Sequence, residues 1–462
     1  MSEVKIGLVG LADTTFDLDE ARKAFAGGLA WLRAAAQQLS FELVPVERLV
    51  LTLEEAAAAA KRFSAEAADL ILVQSSTFAG GSLLVPFIES GLRLGLWAVP
   101  EPFADGPLPV NSFCGMNMFG SVIKHYYGSE IKFRWFYGAA GDAAFSPGLE
   151  NTLAALKAIK TIKGASIVQV GTFAPGFVDL YFDERSLKAK LGCSMTYVGV
   201  SEVIKRAEAQ QATAVAEKLD ALMRQGTCAD VTKLQMEHTA RVCLALREIA
   251  EAHGARALAV DCWPKFQTDY GIKVCTAVGR LNQEGYAVAC EGDVPGAVSQ
   301  LMLNALDSEP STLMDLSRLD LIKESVMMWH CGATAPSWCP QGAKYSRVSI
   351  GPRGQKLEGT ANDLVFAPGP VTIMRIIGES DGMFCFTGKI PPKQDSSYDG
   401  SRGWVHELKI RGHCISVLDL INTIMVNGIQ HHYAMARGDH ERALLEASYW
   451  LDLKMVEPVA HM

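Results

Sequence analysis

The 462-residue sequence predicts two doubly wound α/β domains followed by a mainly β C-terminal domain. Three observations predict it. Short apolar runs alternate with amphipathic stretches from the start of the chain, the pattern of a parallel sheet flanked by helices. A second alternating series begins at about residue 148. Beyond Lys344 the helical period gives way to segments rich in Val, Ile, Thr and Phe, separated by Pro-Gly and Ser-Asp-Gly turns. These shifts place the domains at 1–163, 164–343 and 344–462.

In order, Val4–Val9 is a short apolar run that reads as a strand, and Leu18–Leu39 carries apolar positions at helical spacing. Phe41–Pro45, Leu53–Phe63, Asp69–Val73, Leu84–Ser90 and Arg93–Val99 continue the alternation. Glu101–Asn111, with three prolines and a glycine, reads as a loop before a helix near Gly115–Tyr127 and a strand at Phe133–Tyr137. The second series predicts helices at 148–161, 201–224, 229–252, 272–283 and 294–306, with strands at 165–170, 256–261, 286–290 and 311–315. The third region predicts strands at Leu364–Phe366, Val371–Ile376 and Met383–Thr387, closed by helices near Val417–Met425 and Glu441–Leu451.

Composition narrows the function classes. With 49% hydrophobic and 20% charged residues the chain is an ordinary globular protein. A net charge of −8 gives no general attraction to phosphate backbones or anionic lipid, so nucleic acid and membrane partners are not expected. The start, Met1-Ser2-Glu3-Val4-Lys5-Ile6, lacks a basic segment followed by a long apolar one, and no apolar run reaches bilayer length, which predicts a cytoplasmic protein. The 11 cysteines include no C-x-x-C pair and read as reduced, mostly core residues. Gly7-Leu-Val-Gly-Leu-Ala-Asp13 has too few glycines for a dinucleotide fingerprint, and no phosphate-binding loop occurs, so no nucleotide cofactor is expected. No G-x-S-x-G or H-E-x-x-H motif supports a hydrolase or metalloprotease.

The chemistry concentrates in residues 261–332. Cys290-Glu291-Gly292-Asp293 follows an apolar strand and precedes a helix, where open α/β sheets place ligands. Asp293 also suits a plain role as N-cap of the helix beginning near Pro295. Ser311–Asp315 predicts a strand ending in a second acid, 24 residues after Glu291, the length of one helix plus one strand. Ser325–Trp329 predicts a third, delivering His330, which is either functional or a satisfied structural histidine. Two carboxylates and an imidazole make a site suited to Mn²⁺, Mg²⁺, Co²⁺ or Fe²⁺ and less to thiolate-type zinc binding. A further imidazole is available in Asn427-Gly428-Ile429-Gln430-His431-His432.

These residues resemble the L-fucose isomerase and L-arabinose isomerase superfamily. The Glu-Gly-Asp after an apolar strand, the later acid, the His-Cys-Gly at 330–332 and the late Gly-x-x-His occur in that family's order. Asp183-Glu184, Ser76-Thr77-Phe78 and Phe366-Ala-Pro-Gly-Pro-Val-Thr-Ile look similar too. The resemblance implies Glu291 as metal ligand and proton-transfer base, Asp315 as second ligand and His431 as C-terminal ligand, with His330 on metal or on substrate. Lys265, Gln267, Asp293, Trp329, His330 and Trp404 are the candidate substrate contacts. It implies a barrel-like C-terminal domain and a homotrimer or homohexamer with sites between subunits. Cys262-Trp263-Pro264-Lys265-Phe266-Gln267 sets the chain beside, rather than within, the two named enzymes.

The expected activity is a divalent-metal-dependent aldose–ketose isomerisation of a pentose, hexose, deoxy-sugar or sulfo-sugar through an enediolate, with Mn²⁺ as first candidate metal. The alternatives are a non-catalytic sugar-binding protein and a metal-dependent epimerase or lyase acting on a sugar acid. An anionic substrate requires cations, for which Lys265, Arg402 and Lys344 are available.

Overall fold

The computed structural model describes residues 3–128, 130–339, 341–348, 350, 352, 357–394 and 398–462. The chain forms two compact units, Met1–Lys157 and Ala158–Met462. The first carries strands β1 (Val4–Leu11), β2 (Phe41–Pro45), β3 (Leu70–Ser75), β4 (Leu94–Ala98) and β5 (Phe133–Tyr137), all parallel in the order β2-β1-β3-β4-β5. Every residue of β3 and β4 is buried, as strands covered by helices on both faces must be. Asp17 starts the helix Leu18–Leu39 by accepting the backbone N–H groups of Asp19 and Glu20, and Ser40 ends it in the left-handed region.

The second unit contains β6 (Ser166–Val170), β7 (Ser194–Val198), β8 (Gly226–Cys228), β9 (Ala255–Val260), β10 (Ala287–Cys290), β11 (Thr312–Asp320), β12 (Ser325–His330) and β13 (Ala343–Val348). It continues with β14 (Leu357–Val365), β15 (Gly369–Ile376), β16 (Gly382–Ile390), β17 (Ser401–Ile410), β18 (His413–Cys414), β19 (His432–Arg437) and β20 (Lys454–Met455). Four strands make a parallel sheet, β10-β9-β6-β7. The others make a mixed sheet in the order β20-β16-β15-β19-β11-β12-β17-β14-β13-β8, with β18 on β17. Each sheet has its own core, Val168, Leu258, Val260 and Val288 in one and Met314, Met328, Ile373, Phe384 and Tyr433 in the other. The α/β class with a β-rich C-terminal region is therefore present.

Two expectations are corrected. The stretch 201–224 is two helices, Val200–Ala209 and Ala212–Gln225, because Gln210 and Gln211 both adopt extended backbone; no glycine or proline marks the break. More consequentially, β11 and β12 do not extend the parallel sheet. Only four residues separate Asp320 from Ser325, too few for a crossover, so the two strands pair antiparallel in the mixed sheet. β11 also runs on to Asp320, which puts Asp315 inside the strand rather than at its end. Among the described residues no helix is long and apolar enough to cross a membrane.

Candidate active site

The parallel sheet supplies acids at the ends of neighbouring strands. β9 and β10 pair through Val260 and Cys290, so Asp261 and Glu291 leave the same edge. Glu291 sits in the left-handed region at φ 62°, a conformation uncommon outside glycine, and turns the chain sharply out of the strand. Gly292 follows at φ 74°, where a Cβ would come within 2.1 Å of the Thr172 carbonyl oxygen, so only glycine fits. Asp293 is the N-cap expected from the sequence: its Oδ1 accepts the Gly296 N–H at 2.9 Å and starts the helix Val294–Asn304. It is also fully buried against Arg375 of β15, whose Nη2 donates to Oδ1 at 3.0 Å.

The mixed sheet supplies the rest: Asp315 from within β11, His330 as the last residue of β12, His432 as the first of β19 and His431 from the segment just before it. In register, His432 lies opposite Asp315, and Asp315 opposite Trp329. His432 is buried at the meeting point. Its Nδ1 is 3.1 Å from Asp293 Oδ2, and its Nε2 is 3.2 Å from Glu291 Oε2 and 3.6 Å from Asp315 Oδ1. His431 is 39% exposed at the rim, with Nδ1 2.6 Å from Asp179 Oδ2 and Nε2 4.0 Å from Glu291 Oε2. In His330 the Nδ1 accepts the Cys331 backbone N–H at 3.0 Å, which leaves Nε2 to carry the ring proton. That Nε2 and Asp315 Oδ1 are both buried and, among the described residues, without a hydrogen-bond partner.

Burial pushes the Glu291 and Asp293 carboxyls up, but the His431 and His432 imidazoles for Glu291, and Arg375 with His432 for Asp293, hold both well below the usual carboxylate range. Burial pushes His432 down, yet the hydrogen bonds to Asp293 and Glu291 prevail and lift it to about 10. Burial raises Asp261, aided by the charge of Glu291 and opposed by a Thr172 hydrogen bond and Lys265.

The donor set suits a divalent cation. Glu291, His431 and His432 offer ligand atoms within 4.8 Å of one another, and so do Asp315, His330 and His432. Carboxylate oxygens with imidazole nitrogen match Mn²⁺, Mg²⁺ or Co²⁺. The Asp293–His432 contact has the form of the carboxylate support that stands behind metal-ligating imidazoles in general.

Glu291 and Asp315 thus meet around His432, with His431 and His330 on either side. Lys265 is exposed at the start of the helix Lys265–Tyr270, and Gln267 is half-buried in that helix. The indole N–H of Trp329 donates to the Asp399 carbonyl at 2.8 Å. Trp404 lies further along the sheet, its ring under the Arg318 guanidinium. Arg402 and Lys344 both bind Asp363, at 2.5 and 3.4 Å.

Sequence reasoning did not single out His432, Arg375, Asp179 or Asp261. The rule that found Glu291, an acid directly after an apolar strand, also fits Asp261. An arginine inside the apolar run Val371–Ile376 signals a buried cation in need of a carboxylate. For Asp179 no local signal exists. Around the acids, Cys275 and Cys331 place their sulfurs 3.4 Å apart, and Cys262 hydrogen-bonds Cys290.

No protein-family model matches the chain. It is similar over nearly its whole length to the sulfoquinovose isomerase of Priestia aryabhattai, 24% identical over 459 residues, 98% of this chain and 99% of the relative. The sulfoquinovose isomerase of Alkalicoccus urumqiensis is 25% identical over 396 residues, 84% of this chain and 86% of its own. That of Clostridium sp. (strain MSTE9) is 24% identical over 388 residues, 83% and 84% of the two chains. Four curated relatives of this kind carry the name of a sugar isomerase.

Proposed function

We propose that this protein is a divalent-metal-dependent aldose–ketose isomerase whose substrate is a sulfonated hexose. The names of the four relatives support the isomerase class. The observation that carries the reaction is the convergence of Glu291, Asp315 and His432 on one point, with Asp315 Oδ1 and His330 Nε2 buried beside it and, among the described residues, without a hydrogen bond. Such groups await a ligand.

Glu291, Asp315 and His432 would hold the metal, with His431 as a further donor at the rim. A bound divalent cation would supply positive charge to offset the negative charge that develops in the enediolate. Glu291, an ionised carboxylate at the cluster, would take the C2 proton and return it to C1. His330, with Nδ1 engaged by the backbone, presents an N–H from Nε2 and so serves as a hydrogen-bond donor to a substrate oxygen rather than as a ligand. Asp315 moves the hydroxyl proton or completes the ligand set.

The test is a panel of pentoses, hexoses, deoxy-sugars and sulfonated sugars, followed by ketose formation and solvent-deuterium exchange at the carbon beside the carbonyl. Metal-loaded enzyme should isomerise a sulfonated aldose, lose activity with a chelator and regain it with Mn²⁺. Full activity in protein shown by elemental analysis to be metal-free would refute the metal requirement. Binding without turnover would favour a sugar-binding protein, and light scattering reads the proposed trimer or hexamer.

A further inference from the structure

The pairing register continues the metal-site face of the mixed sheet into a basic cavity. Asp315, Trp329 and Arg402 are directly opposite one another on β11, β12 and β17 and share a face. A bulge between Leu316 and Arg318 returns Arg318 to that face, opposite Met327, which in turn lies opposite Trp404. The next pleat brings Asp320 opposite Ser325, with His406 two residues beyond Trp404. Each step is about 7 Å along the strands.

Arg318, Ser325, Lys393, Trp404 and His406 line a cavity of about 440 Å³ on this face. Its chemistry suits an oxyanion. The Arg318 guanidinium lies over the Trp404 ring, 5.5 Å from its centre, and among the described residues neither Arg318 nor Lys393 is held in an ion pair. The acid in the wall, Asp320, is turned to the backbone N–H groups of Ile322 and Lys323. Ser325 is 1% exposed, and its hydroxyl has no hydrogen-bond partner among the described residues. The charge of Arg318 also acts on Asp320, but a buried, unsatisfied donor beside two cations outside any ion pair and an aromatic floor awaits an acceptor.

Resting on the isomerase reading, we infer that this cavity holds the acid group at the far end of the sugar. Arg318, Ser325 and Lys393 are its specificity determinants, and Trp404 holds the guanidinium in place. The cavity lies one to two pleats from Asp315, a separation comparable to the length of an extended six-carbon sugar, so a substrate with O1 and O2 at the metal cluster directs its C6 substituent here. A sulfonate and a phosphate ester share the required tetrahedral oxyanion.

Full-length, metal-loaded protein and its Arg318→Ala and Arg318→Lys variants are assayed with a 6-sulfonated aldohexose, the 6-phosphate and the neutral 6-deoxyhexose. Wild type should prefer an acidic sugar, and which acid is preferred identifies the source of the oxyanion. Losing a hydrogen bond to a charged group predicts that Arg318→Ala raises KM for the acidic sugar about tenfold or more, with a smaller change in kcat. The acidic-to-neutral ratio of kcat/KM should fall in step, and Arg318→Lys should recover part of it. A ratio changed less than threefold in Arg318→Ala, or a wild type that prefers the neutral sugar, overturns the inference. Calorimetric binding of the sulfonated sugar alcohol, which cannot be isomerised, separates this from failure of the isomerase reading. If wild type turns over no aldose, at least threefold weaker binding in Arg318→Ala supports the cavity, and equal binding overturns it.

Discussion

The two sheets of the second unit furnish the site in different ways. The parallel sheet presents Glu291 and Asp261 where strands stop and the backbone turns, so each residue's position is set by local conformation. The mixed sheet presents Asp315 from inside β11 and His432 at the start of β19 as cross-strand partners, so their position is set by register between segments far apart in sequence. One side is positioned by turns, the other by pairing, and Asp293 joins them by capping a helix on the first while holding Arg375 and His432 of the second.

Breaking that joint should have the largest effect. Arg375→Leu leaves Asp293 buried without its cation, and loss of one member of a buried pair costs about 3–5 kcal/mol. Urea unfolding should show this as a lower midpoint; a loss under about 1 kcal/mol would mean His432 alone satisfies Asp293.

On the parallel-sheet side, Glu291→Gln keeps size and hydrogen bonding but removes the basic oxygen. Turnover should fall on the order of a hundredfold or more with the fold retained, and deuterium exchange should fall with it. Near-native rates would pass the role of base to Asp261 or Asp315.

On the mixed-sheet side, the two histidines can be ranked. His432→Asn should weaken Mn²⁺ binding about 10–100-fold, and His431→Asn less, because only His432 contacts Glu291, Asp293 and Asp315 together. Calorimetry that found His431 the more damaging substitution would return the ligand role to the rim.

The smallest effect concerns pH. Asp293 is depressed in the folded state, so its stabilisation is present above the unfolded value of about 3.9 and fades as pH falls further. The stability gap between wild type and Asp293→Asn should therefore narrow below about pH 4. A gap that stays constant to pH 2 would show that the charge of Asp293 does not stabilise the fold.

The same contrast explains what could be read from the sequence. Apolar runs followed by acids made β10 and Glu291 legible, because burial on both faces and a strand-end turn both leave local marks. The partners of β11 and β12 were misjudged because the expected strand stopped at Asp315, whereas β11 runs on to Asp320 and leaves only four residues before Ser325, which forces an antiparallel pair. That His432 stands beside Asp315 followed only from the register that pairs β19 with β11. Asp179 reaches His431 from a turn whose sequence carries no comparable sign.

The buried thiols around the acids offer a clock for opening of this site. Cys290 is pushed well above the ordinary thiol range by its hydrogen bond with Cys262 and by burial, and Cys331 by Cys275 and burial. Iodoacetamide attacks only exposed thiolates, so in the folded protein it should label Cys114, Cys228 and Cys414 first. Alkylation at Cys290 or Cys331, followed residue by residue in time, then counts excursions in which the acids and their supporting strands part.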